Sequence, residues 1–398
     1  MLQPEILTKE QAILPFFRLA FRPFFLLPAL CSILAISLWV SVLSGEYHWA
    51  GALPVNIWHG REMVFGFSAT IAIGFLLTAA QTWTGVRSLH GWKLAGVVLL
   101  WLTARYALFS DSVFLQYLGM ICEALWWGTC ISYLGYMVIK SNNRKNLIFV
   151  PLLTIMMILD LSNLLSAFTG KIALAIHLTY AAVIMMTTVV TVIGGRVIPF
   201  FTIRTLALPV MQGNKILERI IALMMVLTLL SFVSSYFFAI EELTASLFIA
   251  TGGAQILRMA SWQTLKTFQK SLLWSLHLSY FNMGIGFIVI GLSYFITELN
   301  FSSAMHIVTI GTFGTMIIAM MSRVSLGHTG RTLCANSWIS FSFLLLLNSM
   351  LFRVFLPTMG WIKIGYNVAA ISWCLGFIIY LVNYGPMLLK SRPDGRSG

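Results

Sequence analysis

Long apolar runs separated by short polar connections dominate this sequence, and they constrain the fold more than any other feature. Each run has about 20 residues, which is enough for a helix to cross a hydrocarbon layer ~30 Å thick. We expect an all-α polytopic membrane protein with about twelve transmembrane helices, in a single domain over residues 1–398. The predicted spans are 22–44, 62–80, 92–110, 115–139, 147–167, 172–193, 217–238, 242–258, 272–296, 301–322, 333–354 and 361–388.

Composition excludes the other classes of protein. Apolar residues make up 59% of the chain and charged residues only 9%, whereas roughly a quarter of a soluble domain is charged. Membrane β-strands are about half as long as these runs and alternate in polarity, so a β-barrel is excluded. The net charge of +13 is spread over short groups between the runs, which favours contact with anionic membrane lipid and argues against nucleic acid as a partner.

The distribution of basic residues predicts the orientation. With twelve spans, 20 of the 25 lysines and arginines fall on one side of the membrane. Because cytoplasmic loops are enriched in basic residues, that side is the predicted cytoplasm, and both termini lie there. The N-terminal segment is 1–21 and the tail is 389–398. The basic residues assigned to the opposite, outer side are Arg61, Arg105, Lys171, Arg353 and Lys363.

Several ionisable residues are predicted to lie at membrane depth, where charge is costly and usually functional. His59 opens the second span, and His177 and His306 lie about six residues into their spans, on the order of 9 Å below the outer surface. Glu123 and Asp160 fall in the outer halves of their helices. Such a group suits a cofactor site with a proton supply, although a histidine that only bonds a neighbouring helix explains each position equally well.

Weaker features each have two interpretations. The 20 methionines suggest copper ligands or, more simply, packing. Arg196 and Arg323 are candidates for binding haem propionates or lipid phosphate. Gly311 and Gly314, near His306, favour close helix packing or leave room for a flat ring.

Gly194, Gly195 and Pro199 are predicted to end the sixth helix. No Cys-x-x-Cys-His motif is present, so a haem would not be covalently attached.

Several segments of the sequence form distinctive motifs. They are FRPFF at 21–25, WHGREMVFGF at 58–67, GGRVIPFFT at 194–202, LLWSLHLSY at 272–280, AMHIVTIGTFGTMIIAMMSRVSLGHTGR at 304–331 and YGPMLLKSRPDG at 384–395. Together these segments resemble the NnrS family, bacterial polytopic membrane proteins tied to nitric oxide and denitrification. The resemblance extends from about residue 15 to 395.

The resemblance implies a twelve-helix bacterial inner-membrane protein that contains haem b and copper and protects against nitric oxide. The histidines that match family positions are His59, His277, His306 and His328. Two positions depart from the family pattern. Arg61 stands where members often have a second histidine, and Ser166 replaces a histidine of the fifth span. His177 has no counterpart in that pattern.

These expectations combine into one hypothesis. A non-covalent haem b has His59 and His306 as axial ligands, with His277 and His328 as next candidates for copper or a second haem. Nitric oxide is reduced to nitrous oxide, as in a nitric oxide reductase-like enzyme. Glu123, Asp160 and His177 carry the protons, and a quinol or cytochrome supplies electrons.

Other functions stay open at this point. The sequence does not choose among three fates of bound nitric oxide. Besides reduction, the gas could be bound or sensed without turnover, or it could be oxidised to nitrate. A transporter for a small molecule or metal complex belongs to a different class, and twelve spans with short loops suit it. The absence of an obvious inverted repeat argues against transport.

Overall fold

A computed structural model describes residues 12–210 and 213–395 of the chain. Within these ranges the secondary structure is helical throughout, with no strand, which confirms the predicted all-α class. Parts of two predicted segments lie outside the described residues, namely 1–11 of the N-terminal segment and 396–398 of the tail.

Twelve helices of 19 or more residues form the described part of the chain, and three short 3-10 helices connect them. The 3-10 helices are Pro15–Phe17, Arg144–Asn146 and Thr264–Thr267. The long helices are α1 Phe21–Leu43, α2 Val55–Thr84, α3 Gly91–Phe109, α4 Val113–Lys140, α5 Phe149–Phe168, α6 Ile172–Leu206, α7 Lys215–Ser234, α8 Glu241–Met259, α9 Ser271–Leu292, α10 Phe301–His328, α11 Ser337–Thr358 and α12 Ile362–Leu389.

Ten helices in the described ranges are long and apolar enough to cross a membrane, which makes the chain a multi-pass membrane protein. The two long helices outside this set are α4 and α8. Helix α8 begins with Glu241 and Glu242. The predicted number of twelve spans is therefore supported for ten, and the side on which the termini lie stays a prediction.

Helix α6 contradicts the predicted end of the sixth span. It continues through Gly194, Gly195 and Pro199 as far as Leu206, a total of 35 residues. Pro199 removes one helical hydrogen bond, yet the helix continues for seven residues beyond it. The two glycines have a different purpose, because Gly194 lies against the ring of Tyr280 and Gly195 against the guanidinium of Arg258.

Two helices contain a π-helical segment of eight residues. In α2 the segment is Glu62–Ala69, and it begins three residues after His59. In α10 it is Ile307–Gly314, and it begins directly after His306. π-Helical turns are uncommon and occur frequently at functional sites. Both of the histidines predicted as axial ligands are therefore followed by a widened helical turn.

The described residues form two compact units. Unit 1 contains residues 12–179, 321–334 and 377–395, and unit 2 contains 180–210, 213–320 and 335–376. In unit 1 the start of α2 is anchored in an apolar cluster through Ile57 and Trp58, which pack with residues of α1, α3, α5 and α6. This anchoring fixes the position of His59, the next residue along the chain.

In unit 2, helices α8 and α9 approach each other through glycines. A Cβ at Gly252 would lie 2.5 Å from the carbonyl oxygen of Gly284, and one at Gly291 would lie 2.6 Å from that of Ala245. Side chains at these positions would force the two backbones apart, so the glycines permit close packing. Gly284 and Gly291 of α9 therefore have a structural role.

Candidate functional site

Five charged residues of unit 1 form a buried ion network. Arg61 and Glu62 come from α2, at the junction with its π segment, Arg105 comes from α3, Glu123 from α4 and Asp160 from α5. Every side chain of the network is at most 9% exposed. We call these five residues the ion network.

Arg61 connects α2 to α5. Its Nη2 lies 2.7 Å from Oδ1 of Asp160, and its Nη1 donates to the carbonyl oxygen of Asp160 and to Oδ1 of Asn163. The other carboxylate oxygen of Asp160 accepts a hydrogen bond of 2.8 Å from Nε1 of Trp127. Asn163 in turn donates to Thr179 of α6. Arg61 is therefore held by several bonds and is not available for another role.

Arg105 joins two glutamates. Its Nη1 donates to Oε1 of Glu62 at 3.2 Å, and its Nη2 forms an ion pair with Oε2 of Glu123. Gly66, in the π segment, makes space for this arrangement. A Cβ at this position would lie 2.6 Å from Nη1 of Arg105 and 2.9 Å from Oε2 of Glu62.

The structure brings together the two acids that the sequence predicted, Glu123 and Asp160, and adds three residues that the prediction missed. Arg61 and Arg105 were counted among the basic residues of the outer side, and the structure shows that both side chains are buried within helices. Arginine is rarely buried unless it is paired. The position of Arg105 inside an apolar run was the signal that pointed to an acidic partner.

His59 lies at the start of the same region. Its imidazole is half-buried and stacks on the indole of Trp39, with ring centroids 4.7 Å apart and an angle of 7° between the planes. The following residue, Gly60, contacts Thr179, since a Cβ there would lie 2.8 Å from its Cγ2. Stacking covers the face of the imidazole and orients the ring, whereas a metal bond would use an in-plane nitrogen.

His306, in unit 2, has a defined tautomer. Its Nδ1 lies 2.6 Å from the carbonyl oxygen of Ser302. A carbonyl only accepts, so Nδ1 carries the hydrogen and Nε2 carries the lone pair. A hydrogen bond from Nδ1 to a carbonyl oxygen is the usual arrangement for a histidine that binds a metal through Nε2. Nearby Gly311 and Gly314 leave no space for a flat ring, because Met350 and the ring of Trp373 pack against them.

His277 uses both ring nitrogens within unit 2. Its Nε2 lies 2.8 Å from the hydroxyl of Thr202, which itself donates to the carbonyl oxygen of Ile198. Nε2 is therefore the donor, and Nδ1 accepts from the hydroxyl of Thr264 at 3.0 Å. A metal bond from either nitrogen would require one of these hydrogen bonds to break.

The other predicted site residues are spread over both units. His177 is half-buried on α6 in unit 1, two residues before Thr179. His328 is the last residue of α10 and not a loop residue as predicted, and its ring lies 5.6 Å from that of Phe21. Arg323 is buried in unit 1, and Arg196 is exposed in unit 2.

Haem and copper make different demands on their protein ligands. A haem can be held by a single imidazole, and the tautomer of His306 suits that role. A copper site of several protein ligands needs a group of donor side chains, and the described residues contain no group of three or more histidine, cysteine or acidic side chains placed to hold a metal ion. Arg61, with its protonated guanidinium, cannot replace a ligand histidine.

Unit 2 contains a second polar cluster that sequence reasoning missed. Arg258 forms an ion pair with Glu218 of α7 and donates to the hydroxyl of Tyr280 on α9 at 2.8 Å. The Tyr280 hydroxyl donates to Oε1 of Gln255. Gly195 allows the guanidinium to lie directly against α6. These bonds tie four helices together and explain the glycine pair of GGRVIPFFT structurally.

Comparison with known proteins identifies the family. No curated protein matches the chain. Residues 15–392 match the family model described as NnrS protein, which confirms the resemblance carried by the segments around His59, Gly195, His277 and His306. Because the match covers nearly the whole sequence, the chain belongs to the NnrS family.

Proposed function

We propose that this protein is a haem-binding protein of the bacterial inner membrane that binds and detoxifies nitric oxide. Membership of the NnrS family over residues 15–392 is the observation that carries this proposal, since the family is tied to nitric oxide metabolism or response. The favoured chemistry is reduction to nitrous oxide by a nitric oxide reductase-like oxidoreductase, with a quinol or cytochrome as the electron donor.

His59 in unit 1 and His306 in unit 2 are each proposed as a histidine that would bind a non-covalent haem b. The Nδ1 bond of His306 to Ser302 supports this role, as does the π-helical turn that follows each histidine. A ferrous haem supplies affinity for a small π-accepting gas. Arg196 and Arg323 are proposed to hold the propionates. His277 and His328 remain secondary candidates, and copper is a prediction that only the family resemblance supports.

Protons are required for the proposed reaction. Two molecules of nitric oxide, two protons and two electrons give one nitrous oxide and one water. Glu123, Asp160 and His177 are the proposed carriers of these protons. The burial of both carboxyl groups beside arginines supports this role, because ionisable groups retained inside a membrane protein commonly form proton relays.

Spectra of the detergent-purified protein test this proposal. Oxidised, reduced and nitric oxide-exposed samples should show a b-type haem whose spectrum shifts with nitric oxide, and metal analysis of the same sample should find iron. His59→Ala and His306→Ala should each reduce haem content or change the spectrum. His48→Ala, in the loop before α2, is the matched control and should leave both unchanged.

The same samples separate the alternatives. A nitric oxide-sensitive haem that forms no nitrous oxide with a reduced quinol would favour binding or sensing without turnover. A colourless preparation free of metal would contradict haem binding, and substrate uptake into vesicles would then test the transporter alternative. Intact spectra in both alanine variants would contradict only the choice of ligands.

A further inference from the structure

The ion network contains an odd number of charges. Three acids, Glu62, Glu123 and Asp160, lie among two arginines, Arg61 and Arg105. If every group were ionised, the network would carry one uncompensated negative charge at membrane depth. Burying an unpaired charge is expensive, and a buried group usually binds or releases a proton to avoid it. Charge balance therefore requires one carboxyl group of the network to be neutral.

The contacts show where that proton belongs. Glu62 and one oxygen of Glu123 receive hydrogen bonds from Arg105, and Asp160 is bonded by Arg61 and Trp127. The second oxygen of Glu123, Oε1, is buried and receives no hydrogen bond from an N–H or hydroxyl donor of the described residues.

Glu123 lies one helical turn before Trp127 on α4, and Nε1 of Trp127 donates to the carboxylate of Asp160 at 2.8 Å. Residues four apart share one face of a helix, so Glu123 lies on the side of α4 that faces Asp160. Two carboxylates in contact repel each other, whereas a carboxyl group and a carboxylate that share one proton attract. The orphaned oxygen of Glu123 is thus explained if a proton lies between the two side chains.

We propose that Glu123 and Asp160 form a proton-binding pair that holds one exchangeable proton inside unit 1. Arg61 and Arg105 set the charge balance that retains the proton. Titratable groups close to the pair or to its two arginines are Glu62 on α2 and the thiols of Cys31 on α1 and Cys122 on α4. The existence of the pair follows from the ion network alone. Only the use of its proton in nitric oxide reduction rests on the proposed function.

Infrared spectroscopy of the purified protein tests this pair directly. At neutral pH the wild type should show the C=O stretch of one protonated, buried carboxyl group, and the band should shift in D₂O. Glu123→Gln and Asp160→Asn each remove one carboxylate and bring the network to neutrality without a proton, so each should abolish the band. Glu241→Gln, at the exposed start of α8, is the matched control and should retain it.

Arg61→Gln provides a second, opposite readout. Loss of one positive charge leaves two uncompensated negative charges, so a second proton should bind and the band should grow about twofold. A wild type without the band at neutral pH, or a band that persists in both the Glu123 and Asp160 variants, would overturn the proposal. Size-exclusion profiles and circular dichroism show whether each variant is folded. If no nitrous oxide is formed but the band behaves as expected, the proposed reaction fails and the proton pair stands.

Discussion

Two arginine side chains determine how the acids of unit 1 are held. Arg61 and Arg105 are each almost completely enclosed by protein, and between them they contact all three acids of the ion network. Removing one member of a buried ion pair costs far more than the pair contributes in net stability, because the remaining charge is left without a partner. The strongest effects of substitution are therefore expected at single residues of this network.

Arg61 and Asp160 should be strongly coupled. Arg61→Met leaves the carboxylate of Asp160 without its 2.7 Å partner, and we expect a loss of about 3–5 kcal/mol in unfolding free energy. Asp160→Asn should also destabilise the protein, and the double variant should lose clearly less than the two single losses combined. Unfolding in mixed detergent measures the free energy of unfolding of the wild type, the two single variants and the double variant. Additive losses would contradict direct pairing.

Gly66 should not accept a side chain. Its Cβ would meet Arg105 and Glu62 in their ion pair, so Gly66→Ala should lower the free energy of unfolding by about 1–3 kcal/mol, the usual cost of overpacking. Gly96→Ala on α3 is the control, because nothing lies within 4 Å of the added atom. Thermal unfolding in detergent compares the two variants, and equal midpoints would show that the pair moves aside freely.

At the scale of elements, the long apolar runs located the helices well but did not show their internal geometry. The predicted start of α9 at 272 agrees to within one residue with the observed helix Ser271–Leu292. The agreement is close because hydrophobicity alone defines such a run. The π segment after Arg61 has no comparable signal. A widened turn changes which side chains share a face, so the grouping of Glu62 with Arg105 could not be read from helical spacing.

The contact between α8 and α9 should depend on Gly252 and not on the adjacent Gly253. Gly252→Ala would place a Cβ against backbone atoms of α9, 2.5 Å from the oxygen of Gly284, and backbone cannot turn away as a flexible side chain can. We expect a loss of about 1–3 kcal/mol. The adjacent Gly253→Ala faces open space and should be neutral in the same detergent unfolding assay. Equal effects of the two substitutions would contradict the close contact.

At the scale of the whole molecule, composition established a membrane protein and the family motifs identified its relatives, while the candidate site was only partly predictable. Glu123 and Asp160 were singled out because acids are rare in apolar runs. Their contact could not be foreseen, since residues on α4 and α5 meet only through helix packing. The burial of Arg61 was missed because counting basic residues by side cannot distinguish a loop cation from a buried one.

The twelve-span arrangement has a direct test at α4 and α8. After replacement of the five native cysteines, Ser112→Cys and Ser141→Cys would flank α4, and Ser235→Cys and Ser261→Cys would flank α8. If both helices cross the membrane, a membrane-impermeant thiol reagent added to intact cells should label one member of each pair only. Labelling of both members, or of neither, would show that the helix does not cross.

Helix α6 has a consequence for the lipid around the protein. Its 35 residues extend about 52 Å at the rise of an ideal helix, against a hydrocarbon layer ~30 Å thick. The helix must tilt strongly or extend well into the headgroup region, and each solution has a cost that changes with acyl chain length. Bilayer thickness would then regulate this protein without any bound ligand, because it would determine which tilt of α6 is most stable.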